Sequence, residues 1–197
     1  PSVSSAASDV YKRQVHDKTF VVGPAALLLM HSYETAQHGL DMVESILSRL
    51  VQQTGEMAAY MVPSGYRALC VRQKESMQAL RCSYVQGQSQ PLLRGASSKV
   101  MLAYMPQARC EKILRHFGED HRMDEWEQEL STIRKNGYAV STSEIDPGVS
   151  GISAPVMKGS KLIGAVSVMA PAHRVEKDKQ RIILHVLQAA RALPPER

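Results

Sequence analysis

Apolar positions recur at intervals of three and four over Leu40–Thr54, where Leu40, Val43, Ile46, Leu47, Leu50 and Val51 share one face and Gly55 follows. That spacing predicts an amphipathic helix stopped at the glycine. Before it, Thr19–Val22 is a short β-prone run closed by Gly23-Pro24, and Ala25–Tyr33 reads as a helix. Beyond Gly55 the period shortens. Glu56–Val62 and Tyr66–Gln73 read as strands around Pro63-Ser64-Gly65, a hairpin centre. Leu80–Val85 reads as a third strand before the polar loop Gln86–Gln90.

Helical spacing returns at Ser97–Tyr104, Gln107–Phe117 and Met123–Lys135, punctuated by Pro106, Gly118 and Asn136-Gly137. Tyr138–Thr142, Ile152–Met157 and Leu162–Ala170 then read as strands, the last two joined by the turn Lys158-Gly159-Ser160-Lys161. A closing helix carries Val175, Ile182, Ile183, Val186, Leu187 and Ala190 on one face and stops at Leu193-Pro194-Pro195. Hairpins alternating with helices define an α+β fold with an antiparallel sheet. No internal repeat or low-complexity block interrupts it.

The first fourteen residues, PSVSSAASDVYKRQ, carry no apolar period and read as a non-native or disordered leader. The 197-residue length fits one domain, or one domain with a fragment. The longest apolar run, Ala25–Met30, is far below the roughly 18–20 residues needed to cross a bilayer, so no membrane partner is expected. Three cysteines, Cys70, Cys82 and Cys110, form no CxxC pair and point to reduced thiols in a cytoplasm. A net charge of +5 raises the possibility of polyanion binding. However, the basic residues are scattered among acids, as across Arg174–Arg181, and do not form a stripe. Aromatic residues at 5% leave little for base stacking.

Catalytic motifs are missing from the text: there is no Gly-rich phosphate loop, GxSxG elbow or HExxH. His116, Glu119, Asp120 and His121 are the best metal candidates, but Gly118 separates the two histidines and a solvated turn is the better reading. Neither a metal nor a cofactor is expected. The most distinctive stretch is Gly137–Val156, a strand that enters the Pro147-Gly148 turn and returns with small residues. Its partner, Gly164–Pro171, is equally small, with hydroxyls set among apolar side chains. Such a surface suits a small-molecule pocket with apolar walls and few polar contacts. Close sheet packing with ordinary serines explains the same spacing.

Gly137, Ser141, Glu144 and Ile152 fit the signature of the effector-binding domain of the IclR family of bacterial transcription factors, which this chain resembles. Further matching stretches are Phe20–Leu29, Leu47–Glu56, Pro91–Met105 and Leu162–Pro171, so the resemblance spans Thr19–Ala192. The chain departs from the family pattern at Leu93, Ser98, Gly151 and Met157, which bears on the identity of the effector.

The resemblance implies a GAF-like domain, a curved antiparallel sheet flanked by helices. It divides the chain into the leader 1–14, the remnant of a winged-helix wing with its linker helix over 15–37, and an effector-binding domain over 38–197. It implies an effector held by Ala96, Ser97, Ser141, Val149, Gly151, Ser167 and Met169, a small organic acid or aromatic catabolite, with a carboxylate the leading class. It also implies a homodimer or homotetramer, with operator DNA bound through an amino-terminal domain outside this text. Two alternatives stand beside this reading. One is a GAF-like sensor of another regulatory system, and the other a small hydrolase or lyase using Cys82 or Cys110.

Overall fold

The computed structural model describes residues 12–15, 19–36, 40–80, 82 and 85–193. The chain divides into two compact units after Leu40. In the first, β1 (Lys12–Val15) and β2 (Thr19–Val22) form an antiparallel pair with Lys12 opposite Val22. Lys12, Arg13 and Gln14 therefore belong to a strand, although they fall within the stretch expected as leader. Helix α1 (Ala25–Ala36) follows and presents Leu27, Leu28, Leu29 and Met30 to solvent.

The second unit opens with α2, which spans Leu40–Thr54 as its spacing predicts and buries Val43, Ile46, Leu47, Leu50 and Val51. Strands β3 (Met57–Ser64), β4 (Arg67–Lys74), β5 (Ser89–Pro91), β6 (Ala139–Thr142), β7 (Val149–Lys158) and β8 (Lys161–Pro171) make one antiparallel sheet in the order β5-β4-β3-β8-β7-β6. The ladder shifts register at Tyr60/Met61 and at Val156/Met157. Each bulge adds twist and bends its strand, which is how a six-stranded sheet curls. The expected curved antiparallel sheet flanked by helices is thus the observed architecture.

The expected strand Leu80–Val85 falls partly outside the described residues. Leu80, Cys82 and Val85 are irregular, whereas residues 81, 83 and 84 lie outside the described residues. The third strand is instead Ser89–Pro91, inside what reads as a polar loop. A short edge strand needs no apolar alternation, because one of its flanks has no neighbouring strand and its faces are half exposed. It is held by backbone pairing to Arg67–Leu69 and by the Arg67 guanidinium, which donates to Ser89 Oγ at 2.7 Å.

Between β5 and β6 come α3 (Ala96–Tyr104), α4 (Gln107–His116), a 3₁₀ turn at Asp120–Arg122 and α5 (Met123–Asn136). These helices cover one face of the sheet, where Ala59, Met61, Ala68, Cys70 and Ala165 join Val100, Met101, Leu102, Ile113, Trp126 and Leu130 in a continuous core. The alternate positions Ile152, Ala154, Val156, Val166, Val168 and Ala170 are also buried and point to the other face. There α6 (Ala172–Ala192) lies against β7 and β8 and buries Val175, Ile182, Ile183 and Val186. Arg181 ties it to the end of α2 through the Gln53 carbonyl at 2.8 Å. In the first turn of α6, Arg174 clamps the buried Glu56 carboxylate with two bonds of 2.6 and 2.7 Å.

Candidate functional site: a cavity between the sheet and the start of α3

The chain enters α3 through Gly95, whose φ of +84° is open to glycine and strained for other residues. A Cβ here would also lie 3.2 Å from Ile145 Cγ1, so the bare backbone lets the loop after β6 close over the helix start. Two amides that no turn of helix can satisfy find side chains instead. Gly95 N–H donates to Glu144 Oε2 at 3.0 Å, and Ala96 N–H donates to Ser141 Oγ at 2.9 Å.

Below this lies the sheet. Ser141 pairs with Gly151, and Gly151 with Met169, so the three form a row across β6, β7 and β8. One step along, Ser153 pairs with Ser167, and their buried hydroxyls share a hydrogen bond of 2.7 Å. Val149, Gly151 and Ser153 face the same way because strand side chains alternate. Ala96, Ser97, Ser141, Val149, Gly151, Ser167 and Met169, the seven residues expected at the site, border a single cavity. Its other walls are Gln90, Gly95, Glu144, Ile145, Asp146 and Ser153. The space left free is only about 40 Å³.

Sequence reasoning missed the charged part of this arrangement. Glu144 was visible as a signature residue without a role, and its second oxygen, Oε1, takes a 2.7 Å bond from Lys99 Nζ. Lys99 also meets Glu129 at 2.7 Å. Burial alone would pull the Lys99 ammonium down from its ordinary value, but hydrogen bonds and attraction from both glutamates outweigh that and hold it above. Asp146 adds another carboxylate to the rim. Ser153 could have been found from its place two residues beyond Gly151.

A larger cleft of about 650 Å³ opens between α4 and α5 over Leu102, Met105, Cys110, Leu114, Trp126 and Leu130. Its polar groups are mutually engaged. Arg134 pairs with Glu127 and donates to the Ala103 carbonyl, while Trp126 Nε1 donates to Glu119 at 3.0 Å. The convergent hydroxyls and amides that orient a small ligand are at the smaller cavity.

The rival chemistries fare poorly. Burial pushes the Cys110 thiol up to about 11, and that of Cys82 is also raised, chiefly by burial, which is the reverse of nucleophile activation. His116 stacks on Tyr66 at 3.9 Å, and His121 Nδ1 sits 3.0 Å from the Gly118 carbonyl. Among the described residues no group of three or more His, Cys, Asp or Glu is placed to hold a metal. No described helix is long and apolar enough to cross a membrane.

A curled six-stranded antiparallel sheet flanked by helices is the fold of the C-terminal domains of bacterial transcriptional regulators. The chain belongs to the IclR family of bacterial transcriptional regulators: residues 32–194 match the profile of the family's C-terminal domain. It is 83% identical to the C-terminal domain of a Vibrio cholerae protein described as a transcriptional regulator, over 82% of this chain and all of that one, with a TM-score of 0.79. The transcriptional regulator BhcR of Paracoccus denitrificans is 24% identical over 97% of this chain and 72% of its own length. An IclR-type regulator from a Silicibacter species shares the fold at 20% identity and a TM-score of 0.84, over 96% of this chain and 79% of that one. The chain spans between 54% and 72% of the length of the curated relatives it matches. These relatives are named as regulators rather than enzymes, which sets aside the hydrolase or lyase alternative. Membership of this family also displaces the sensor of another regulatory system.

Proposed function

We propose that this chain is the effector-sensing and oligomerisation part of a cytoplasmic regulator whose amino-terminal winged helix binds operator DNA. In this reading residues 38–197 sense the effector, and residues 15–37, with the paired Lys12–Gln14, are the end of the wing and the linker helix. The observation that carries it is the convergence of Ala96, Ser97, Ser141, Val149, Gly151, Ser167 and Met169 on one cavity. The hydroxyls of Ser141 and Ser167 orient the ligand, Val149 and Met169 give apolar walls, and the amides near Ala96–Ser98 meet a carboxylate at a helix start, where the backbone favours negative charge. A small organic acid or aromatic catabolite fits these groups.

Effector binding then favours one arrangement of a dimer or tetramer over another, by no more than its difference in affinity for the two. A thermal-shift screen of small organic acids and aromatic catabolites, run in parallel on Gly151→Leu, tests the pocket. An acid at 100 times its Kd stabilises the wild type by about 2.7 kcal/mol, and Gly151→Leu loses that gain. Equal stabilisation of both proteins would place the ligand elsewhere.

A further inference from the structure

We propose that Glu144 is a built-in stand-in for the effector's carboxylate: it holds the cavity shut from inside, and an acidic effector opens it by taking Glu144's place on the Gly95 amide. This rests on the reading that the effector occupies this cavity.

Both oxygens of Glu144 are engaged, Oε2 with Gly95 N–H at 3.0 Å and Oε1 with Lys99 Nζ at 2.7 Å. The next residue, Ile145, packs over Gly95. With this segment in place about 40 Å³ remains free, enough for a water or two and too little for an aromatic acid. Residues 143–148 are built as a flap. Ser143 at φ +55° and Gly148 at φ +75° mark its ends in the left-handed region. Ser143 Oγ accepts a bond from Gly148 N–H at 3.0 Å, and Ser143 N–H donates to the Val149 carbonyl at 2.8 Å. The first bond closes the flap on itself, while the second, with the Ala172 N–H to Gly148 carbonyl bond at 2.8 Å, anchors its base at β7 and α6, so residues 144–147 can move as one piece between two fixed ends.

The exchange leaves no charge stranded. When Glu144 departs, Lys99 keeps Glu129 at 2.7 Å, and the Gly95 amide gains the incoming carboxylate. Glu144 itself moves toward water, where a carboxylate is well solvated. A neutral analogue cannot make this trade, because it replaces a charge-assisted bond with a weaker one. Glu144 therefore sets the ligand class as well as the closed state: the effector must bring a carboxylate of its own.

The test is an NMR titration of the wild type, Glu144→Gln and Glu144→Ala with acetate and benzoate, using acetamide and benzamide as neutral counterparts. Shifts of the Gly95 and Ala96 amides report the cradle, and hydrogen exchange at Val149, whose N–H donates to the Asp146 carbonyl at 3.2 Å, reports the flap. Glu144→Ala should bind acetate at Gly95 about tenfold or more tightly than the wild type, the scale of one charge-assisted bond removed from competition. Glu144→Gln keeps the side-chain shape, should fall between them, and carries the comparison if the alanine variant does not fold. In the wild type, bound acetate or benzoate should speed exchange at Val149, and the amides should do neither. Equal acetate affinity in the wild type and the variants, or acetamide binding as well as acetate, overturns the stand-in role. Acids that shift Ser167 and Met169 but leave Gly95 untouched overturn it while the effector pocket stands. Acids that bind none of the three proteins remove both the stand-in and the carboxylate reading.

Discussion

Gly151 lies in the floor of the cavity, and its neighbourhood fixes what replacement should do. An ideal Cβ there would be 3.4 Å from Ser141 Oγ, 3.6 Å from Ala96 Cβ and 4.0 Å from Met169 Cγ, all ordinary contacts. Gly151→Ala therefore fits, and it should gain about 0.4–1 kcal/mol because the unfolded chain loses freedom. Leucine adds three more carbon groups, each about the size of the ~30 Å³ that a water occupies in the liquid. Only about 40 Å³ is free, so at least one group must push into Ala96 or Met169. Such overpacking costs about 1–3 kcal/mol. At about 2–4 °C per kcal/mol for a domain of this size, Gly151→Leu should melt several degrees below Gly151→Ala in calorimetry at neutral pH, while both stay folded. A leucine variant as stable as the alanine variant would mean that Gly151 does not face a nearly filled cavity, and the flap would then have nothing to close upon.

Arg174→Ala leaves the Glu56 carboxylate, 5% exposed, without its partner and should cost about 3–5 kcal/mol in urea unfolding; adding Glu56→Leu should recover most of the loss. Alkaline pH should destabilise the domain. Burial lifts Cys70 to about 12 and Cys110 to about 11, and Lys99 is also raised, so the folded state keeps protons that the unfolded chain sheds from about pH 8.5 upward. The urea midpoint should fall steadily from pH 8 to 11, and a flat or rising midpoint contradicts this burial. Leu27 and Leu28, 65% and 67% exposed on α1 beside Leu29 and Met30, offer an apolar face for self-association. Light scattering should find an oligomer at about tens of micromolar, weakened in Leu27→Glu/Leu28→Glu, and a monomeric wild type would count against it.

Most of the fold can be read along the chain because its long elements each bury one face. The 3.6-residue period of α2 sets its limits at Leu40 and Thr54, and the small-residue strands β7 and β8 stand out between their turns. β5 escapes because three residues at an edge carry no alternation, and its pairing comes from Arg67–Leu69 on a neighbouring strand. At the site, the row Ser141–Gly151–Met169 follows from strand order and period. The Glu144–Gly95–Lys99 contacts do not. They join positions 45 or more residues apart through the geometry of a helix start and a loop, which no local spacing encodes. The walls and hydroxyls of the site are therefore legible in the sequence, and the Glu144 contacts are not.

The most direct measurement is a crystal structure of the chain grown with whichever acid from the screen stabilises it most. The carboxylate is predicted within hydrogen-bond distance of the Gly95 amide and the Ser141 hydroxyl, with its body against Gly151, Ser167 and Met169 and Glu144 swung away from the helix start. Density for the acid in the cleft between α4 and α5, with the cavity under α3 still closed by Glu144, would contradict the account.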